Sequence, residues 1–165
     1  MNGEGRSQAT TPAGAHAARR ALLATCVAAA AKGAETIRAH AGDAARAALD
    51  WETKSATDFV TEVDRASEAA IAALVRERHP DATLLAEEGT PDADAARGVV
   101  FVADPLDGTT NFLHGFPWYA VSIAALVDGE PAAAAILNVP TGELFTATAG
   151  GGARRGGEPI RVSSI

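Results

Sequence analysis

From Thr83 onward the chain breaks into short apolar runs of strand length, closed by glycine, proline or Asp-Gly pairs. That rhythm constrains the fold more than any other feature of the sequence. The runs fall at residues 83–86, 99–103, 120–127, 132–139 and 144–148, with 160–162 as a last edge strand. Asp128-Gly129 between two of them has the chemistry of a two-residue hairpin turn. The glycine runs at 150–152 and 156–157 read as further hairpin turns rather than as a phosphate cradle. Upstream the period is helical. Leu22, Cys26, Ala30, Gly33 and Ile37 follow one helical face, and residues 64–78 carry Ala66, Ala70 and Leu74 on a stripe with Ile71 and Val75 beside it, closed by Pro80. Thr61 or Asp64 can cap that second helix. Between the helices, residues 54–63 read as an extended hairpin or loop. Two helices followed by hairpin-linked strands make an α+β chain in which antiparallel pairing dominates.

Composition excludes several classes of function. Of 165 residues, 47% are hydrophobic and 21% charged, an ordinary globular balance, although 40 alanines make much of that hydrophobicity helix propensity. A formal charge of -7 argues against a broad basic surface for nucleic acid or anionic lipid, so a phosphate-bearing ligand must be held locally, with metal ions. Cys26 is the single cysteine, so no intrachain disulfide forms, and no Cys/His pair has zinc-ligand spacing. This cysteine usage fits a cytoplasmic location. Residues 1–15, rich in Gly, Ser, Thr and Pro without periodicity, are expected to be a flexible leader. Arg19-Arg20 before the apolar run 21–31 invites comparison with a twin-arginine signal. Lys32 and Glu35 interrupt the run, however, and it is far too short to span a membrane.

The chemistry concentrates at the end of the run Val99-Val100-Phe101-Val102-Ala103, which delivers Asp104-Pro105-Leu106-Asp107-Gly108-Thr109-Thr110-Asn111. Pro105 fixes φ, Gly108 permits unusual backbone angles, and Asp104 and Asp107, three apart, can converge on one point. Hard oxygen ligands in a rigid turn suit Mg²⁺. If residues 109–111 open a helical turn, their free amides make an anion site beside the metal; the plain alternative is a tight turn with a capped helix. A second run ends in Glu87-Glu88-Gly89, and two acidic strand ends suggest one site. Other schemes fail on the same residues. A haloacid-dehalogenase nucleophile would fall on Pro105, an EF-hand loop from Asp104 would put Leu106 at a ligand position, and no Walker A or Gly-x-Ser-x-Gly pattern occurs.

The segment Asp104 to Phe112, continued by His114-Gly115-Phe116-Pro117-Trp118-Tyr119-Ala120-Val121-Ser122-Ile123, closely resembles the signature of the inositol monophosphatase family. Residues 54–64 and Glu87-Glu88-Gly89 resemble that family's other N-terminal blocks in the same order, and the resemblance runs from about Ala17 to the last residue. It implies the N-terminal half of a layered αβαβα sandwich of the sugar-phosphatase type, with two helices packed on a mostly antiparallel sheet. It also implies Mg²⁺-dependent hydrolysis of a small phosphate monoester by activated water. Carried over by position, Glu87, Asp104, the Leu106 carbonyl and Asp107 are the metal ligands. Asp64, Thr109 and Glu87 are catalytic, orienting or deprotonating the attacking water. Gly108 and Thr109 hold the phosphate through their amides, Lys54 lies close to the metal site, and Asp58 matches a polar position without an assigned role.

The chain departs from the family pattern in lacking a Trp-Asp pair, since Trp51 precedes Glu52 and Trp118 precedes Tyr119. The sequence is therefore expected to carry residues 16–165 as an N-terminal metal-binding domain without the family's second domain. The partners expected are a small phosphorylated substrate and either a second copy or a complementing C-terminal half, with no nucleic acid and no membrane. The alternative to a phosphatase is a catalytically incomplete fragment that binds divalent metal or a partner chain.

Overall fold

The computed structural model describes residues 12–42, 51–55, 58–86 and 97–164, with only the backbone course for 51–55 and 58–60. Helix α1 (Pro12–Ala39) leads, followed by a hairpin of β1 (Trp51–Ser55) and β2 (Asp58–Thr61) and then helix α2 (Glu62–Arg78). Strands β3 (Thr83–Ala86) and β4 (Val99–Asp107), the short helix α3 (Thr109–Leu113), and strands β5 (Ala120–Val127), β6 (Glu130–Asn138), β7 (Leu144–Thr148), β8 (Gly152–Arg155) and β9 (Glu158–Ile160) complete the chain. Strands β3 to β9 form one sheet in sequence order, with β3 parallel to β4 and every other pair antiparallel. The fold is thus α+β, two long helices on a mostly antiparallel sheet.

Several boundaries differ from the sequence reading. Helix α1 begins at Pro12, a residue suited to a first turn that needs no amide, so residues 12–15 of the expected leader are helical. Residues 1–11 lie outside the described residues. Strand β4 continues to Asp107, four residues past its apolar run, because the acidic segment stays in the sheet. Residues 152–155, flanked by glycine turns, form β8, and the edge strand β9 falls at Glu158–Ile160 rather than 160–162. The Asp128-Gly129 turn is as expected. Asp128 has φ 51° and Gly129 φ 81°, the left-handed pair a type I′ hairpin turn requires.

Both long helices pack on one face of the sheet. Leu22, Cys26, Ala29, Ala30, Ala34 and Ile37 of α1 and Val63, Ile71 and Val75 of α2 meet Phe101, Val121, Ile123 and Ala135 in the core. Burial pushes the Cys26 thiol up to about 12. Arg38 at the end of α1 donates through Nε and Nη2 to the Val139 carbonyl after β6, at 3.2 and 3.0 Å. At the end of α2, His79 Nε2 meets Thr25 Oγ1 of α1 at 2.9 Å. No described helix covers the opposite face, where Val102 and Ile136 are exposed. Among the described residues, no helix is long and apolar enough to cross a membrane.

Gly33 sets how closely the helices approach. A Cβ there would lie 2.7 Å from Ser67 Oγ and 3.0 Å from Ile71 Cδ1. Gly33→Ala is expected to lower stability by about 1–3 kcal/mol through overpacking, against a helix-propensity gain of ~1 kcal/mol, as a fall in thermal midpoint. An unchanged midpoint would refute the close packing of α1 on α2. Native Cys26 is expected to resist alkylation at pH 8 and to react only on unfolding, because the thiol is buried and stays protonated.

Candidate active site

The acidic segment is shaped by an irregularity in the β4–β5 ladder. Asp104 pairs with Ser122 and Asp107 with Ala120, so Pro105 and Leu106 together face the single residue Val121. This is a β-bulge of one extra residue. Proline is tolerated there because it has no amide to leave unpaired. In a regular strand, residues three apart point to opposite faces. The extra residue reverses that parity, and Asp104 and Asp107 share the open face. Asp104 lines a depression of about 430 Å³ with Leu85, Ala86, Val102, Ser122 and Ala124. Asp107 lines one of about 240 Å³ with Gly108, Asn111, Trp118 and Glu143.

Side-chain and backbone bonds hold the segment. Asp104 Oδ1 accepts from the Leu106 amide at 3.1 Å, an Asx turn inside the bulge. Leu106 itself is buried. The chain then turns at Gly108, whose φ of 89° and closeness to the Trp118 carbonyl, 3.1 Å from a would-be Cβ, both demand glycine. Gly108 caps α3 without a side chain, leaving no side-chain acceptor for the amides of its first turn. Phe112 of α3 is fully buried and meets Tyr119 edge-on at 5.3 Å. Asn111 Nδ2 donates to the Trp118 carbonyl at 2.7 Å, tying α3 to the start of β5.

Helix α2 brings the second part of the site. Thr61 is its N-cap, with Oγ1 accepting from the Val63 and Asp64 amides, and Asp64 completes the capping box. Asp64 is 2% exposed and fully partnered. Its Oδ2 accepts from the Thr61 amide at 2.9 Å and from Thr61 Oγ1, while Oδ1 accepts from Thr109 Oγ1 at 2.8 Å. The Leu106 carbonyl lies 3.0 Å from the same Thr109 hydroxyl. One proton serves both acceptors, and the carboxylate is the stronger.

The structure therefore gathers Asp64, Thr109, Leu106, Asp107, Gly108 and Asp104 around one corner of the sheet. Glu87, expected as ligand and catalytic residue, lies outside the described residues. Lys54 and Asp58 fall on β1 and β2, and their side chains also lie outside the description. Among the described residues, no three His, Cys, Asp or Glu side chains converge as a metal-holding group. Sequence reasoning missed Ser67, whose hydroxyl donates to the Pro105 carbonyl at 2.9 Å. The signal for it was a polar residue on the buried stripe of Asp64, Ile71 and Val75.

Three comparisons bear on this corner. The model of the Inositol monophosphatase family matches residues 18–164. Phosphatase IMPL1 of the chloroplast of Arabidopsis thaliana is 45% identical over 116 residues, covering 67% of this chain and 31% of its own length. The solved suhB extragenic suppressor protein of Bartonella henselae is 36% identical with a TM-score of 0.81, over 88% of this chain and 55% of that one. A solved SaIMPase-II with inositol monophosphate bound is 30% identical with a TM-score of 0.70, over 85% of this chain and 49% of that one. The chain thus spans 31–55% of the length of these relatives.

Thr61 is the residue on which Asp64 most depends. Thr61→Ala is expected to lower the stability of the folded chain by about 1–2 kcal/mol, read as a lower urea midpoint, with Thr61→Ser restoring it. A wild-type midpoint in the alanine variant would mean that the capping box does not hold Asp64.

Proposed function

The chain belongs to the inositol monophosphatase family, and on that premise we propose that it hydrolyses a small phosphate monoester, of the inositol monophosphate class, with the help of Mg²⁺. One observation carries this reading: the Thr109 hydroxyl bonds the buried Asp64 carboxylate beside a bulge that turns Asp104 and Asp107 to a common face. Asp104, Asp107 and the Leu106 carbonyl are hard oxygen donors, and they fit a small divalent cation. Glu87 is proposed as a further ligand on the family's pattern. Bound there, Mg²⁺ offsets the charge of the ester dianion and makes water easier to deprotonate.

The chain's own residues then have distinct tasks. Asp64 is held at Oδ2 by Thr61, so Oδ1 is left for Thr109 alone. A hydroxyl whose proton is committed to a carboxylate turns its lone pairs outward as an acceptor. A water donating to Thr109 Oγ1 can give up its proton there while the Thr109 proton passes to Asp64 Oδ1. The oxygen so freed forms the new P–O bond, the ester P–O bond breaks, and the departing alkoxide takes a proton from solvent. Gly108 and Thr109 present amides to the phosphate oxygens, and Lys54 is proposed as a substrate-side cation on the family's pattern alone. Positioning and charge stabilisation of this kind carry most of phosphoryl-transfer catalysis.

Association is part of the same proposal. The sheet face that no described helix covers, with Val102 and Ile136 exposed, is assigned to a second copy or to the remainder of the family's length. Light scattering showing a monomer at every concentration would remove the homodimer.

The test of activity is phosphate release from inositol 1-phosphate with and without Mg²⁺. The wild-type chain is expected to release phosphate only with Mg²⁺, and Asp104→Asn to lose that release. Thr109→Val is expected to lower kcat by about 10²-fold with KM little changed, the scale of a lost proton acceptor. Full release from Asp104→Asn, or none from the wild type, would overturn the assignment for this chain.

A further inference from the structure

The bulge leaves Pro105 outside the one-to-one pairing with β5, yet its carbonyl is bonded from the helix side by Ser67. Ser67 is fully buried and stands three residues after Asp64, one helical turn along the same face of α2. Gly33 of α1 closes the space behind it, since any Cβ at that position would press on Ser67 Oγ. The hydroxyl is therefore confined between α1 and the bulge, with the Pro105 carbonyl before it.

The bonded carbonyl is half of a single peptide unit. The Pro105 carbonyl and the Leu106 amide share one plane, and that amide donates to Asp104 Oδ1. Ser67 holds one edge of the plane and Asp104 the other. Were the plane to rotate, both bonds would break together and the Asp104 carboxylate would lose the Leu106 amide.

Resting on the site reading above, we propose that Ser67 is a positioning residue, fixing the Pro105–Leu106 peptide plane and through it the direction in which Asp104 presents its carboxylate to a divalent cation. Ser67 touches neither cation nor substrate. It acts through the backbone, as groups that orient metal ligands do.

The test compares the wild-type chain, Ser67→Ala and Ile71→Val, the last loosening α2 by deleting one buried methyl group while leaving the Ser67 bond in place. Mn²⁺ affinity is read by electron paramagnetic resonance, and hydrogen exchange of the Leu106 amide is read in the metal-free chain. Ser67→Ala is expected to bind Mn²⁺ about tenfold more weakly. Its Leu106 amide should also exchange faster than the rest of β4, with Ile71→Val unchanged in both readings. Wild-type affinity and exchange in Ser67→Ala overturn the proposal, as does an equal loss in Ile71→Val. Should the alanine variant not fold, Ser67→Cys, with its volume kept and only a weak thiol donor, carries the same two readings. A wild-type chain that binds no Mn²⁺ overturns the site reading instead, and Leu106 exchange then decides whether Ser67 holds the plane.

Discussion

In a regular strand, side chains three residues apart face opposite sides of the sheet, so Asp104 and Asp107 would straddle it. One would be driven among the apolar side chains of the helix-covered face, where an unpaired carboxylate costs several kcal/mol or neutralises. The extra residue at Pro105–Leu106 removes this conflict by reversing the parity after Asp104. Both carboxylates then reach the open side, while Leu106 stays buried and contributes its carbonyl near the Thr109 hydroxyl. The start of α3, the left-handed turn at Gly108 and the placement of Thr109 follow from where the bulged strand ends.

The helix layer is arranged around the same point. Gly33 on α1 lets α2 approach closely, and the N-terminal turn of α2 reaches the end of β4. Asp64 is then buried with three donors, which makes a buried carboxylate tolerable. A capping box, ordinarily a device for starting a helix, here also fixes the oxygen that faces Thr109.

Much of this scaffold was legible in the chain. The buried stripe of α1, the strands at 83–86, 120–127 and 144–148 and the Asp128-Gly129 turn are local matters, set by periodicity and by residues that accept left-handed backbone. That the acidic segment follows an apolar strand run was legible too, and the helical turn at 109–111 was one of two readings the residues left open. Why Asp104 and Asp107 share a face was not, because the residues alone suggest a tight turn, whereas the chain stays in the sheet and changes parity by a bulge. A bulge is defined by the partner strand, and no window of sequence around Pro105 contains Val121. Ser67 escaped for a related reason: its partner is a backbone carbonyl 38 residues away, which has no side-chain identity to read.

The two faces of β4 thus divide the work. Toward the helices, the strand end is held by a buried hydroxyl at Pro105, a buried leucine at 106 and a buried carboxylate reached through Thr109. Toward the open side it presents Asp104 and Asp107. Two anionic side chains on one face of a strand end repel each other, and a backbone held in place limits how far they can move apart. The covered side contributes to the rigidity of the bulge through the Ser67 bond to the Pro105 carbonyl and the burial of Leu106. A proline without an amide, an Asx turn and a peptide plane bonded from behind are the means by which a buried layer can hold two like charges on one face of a strand.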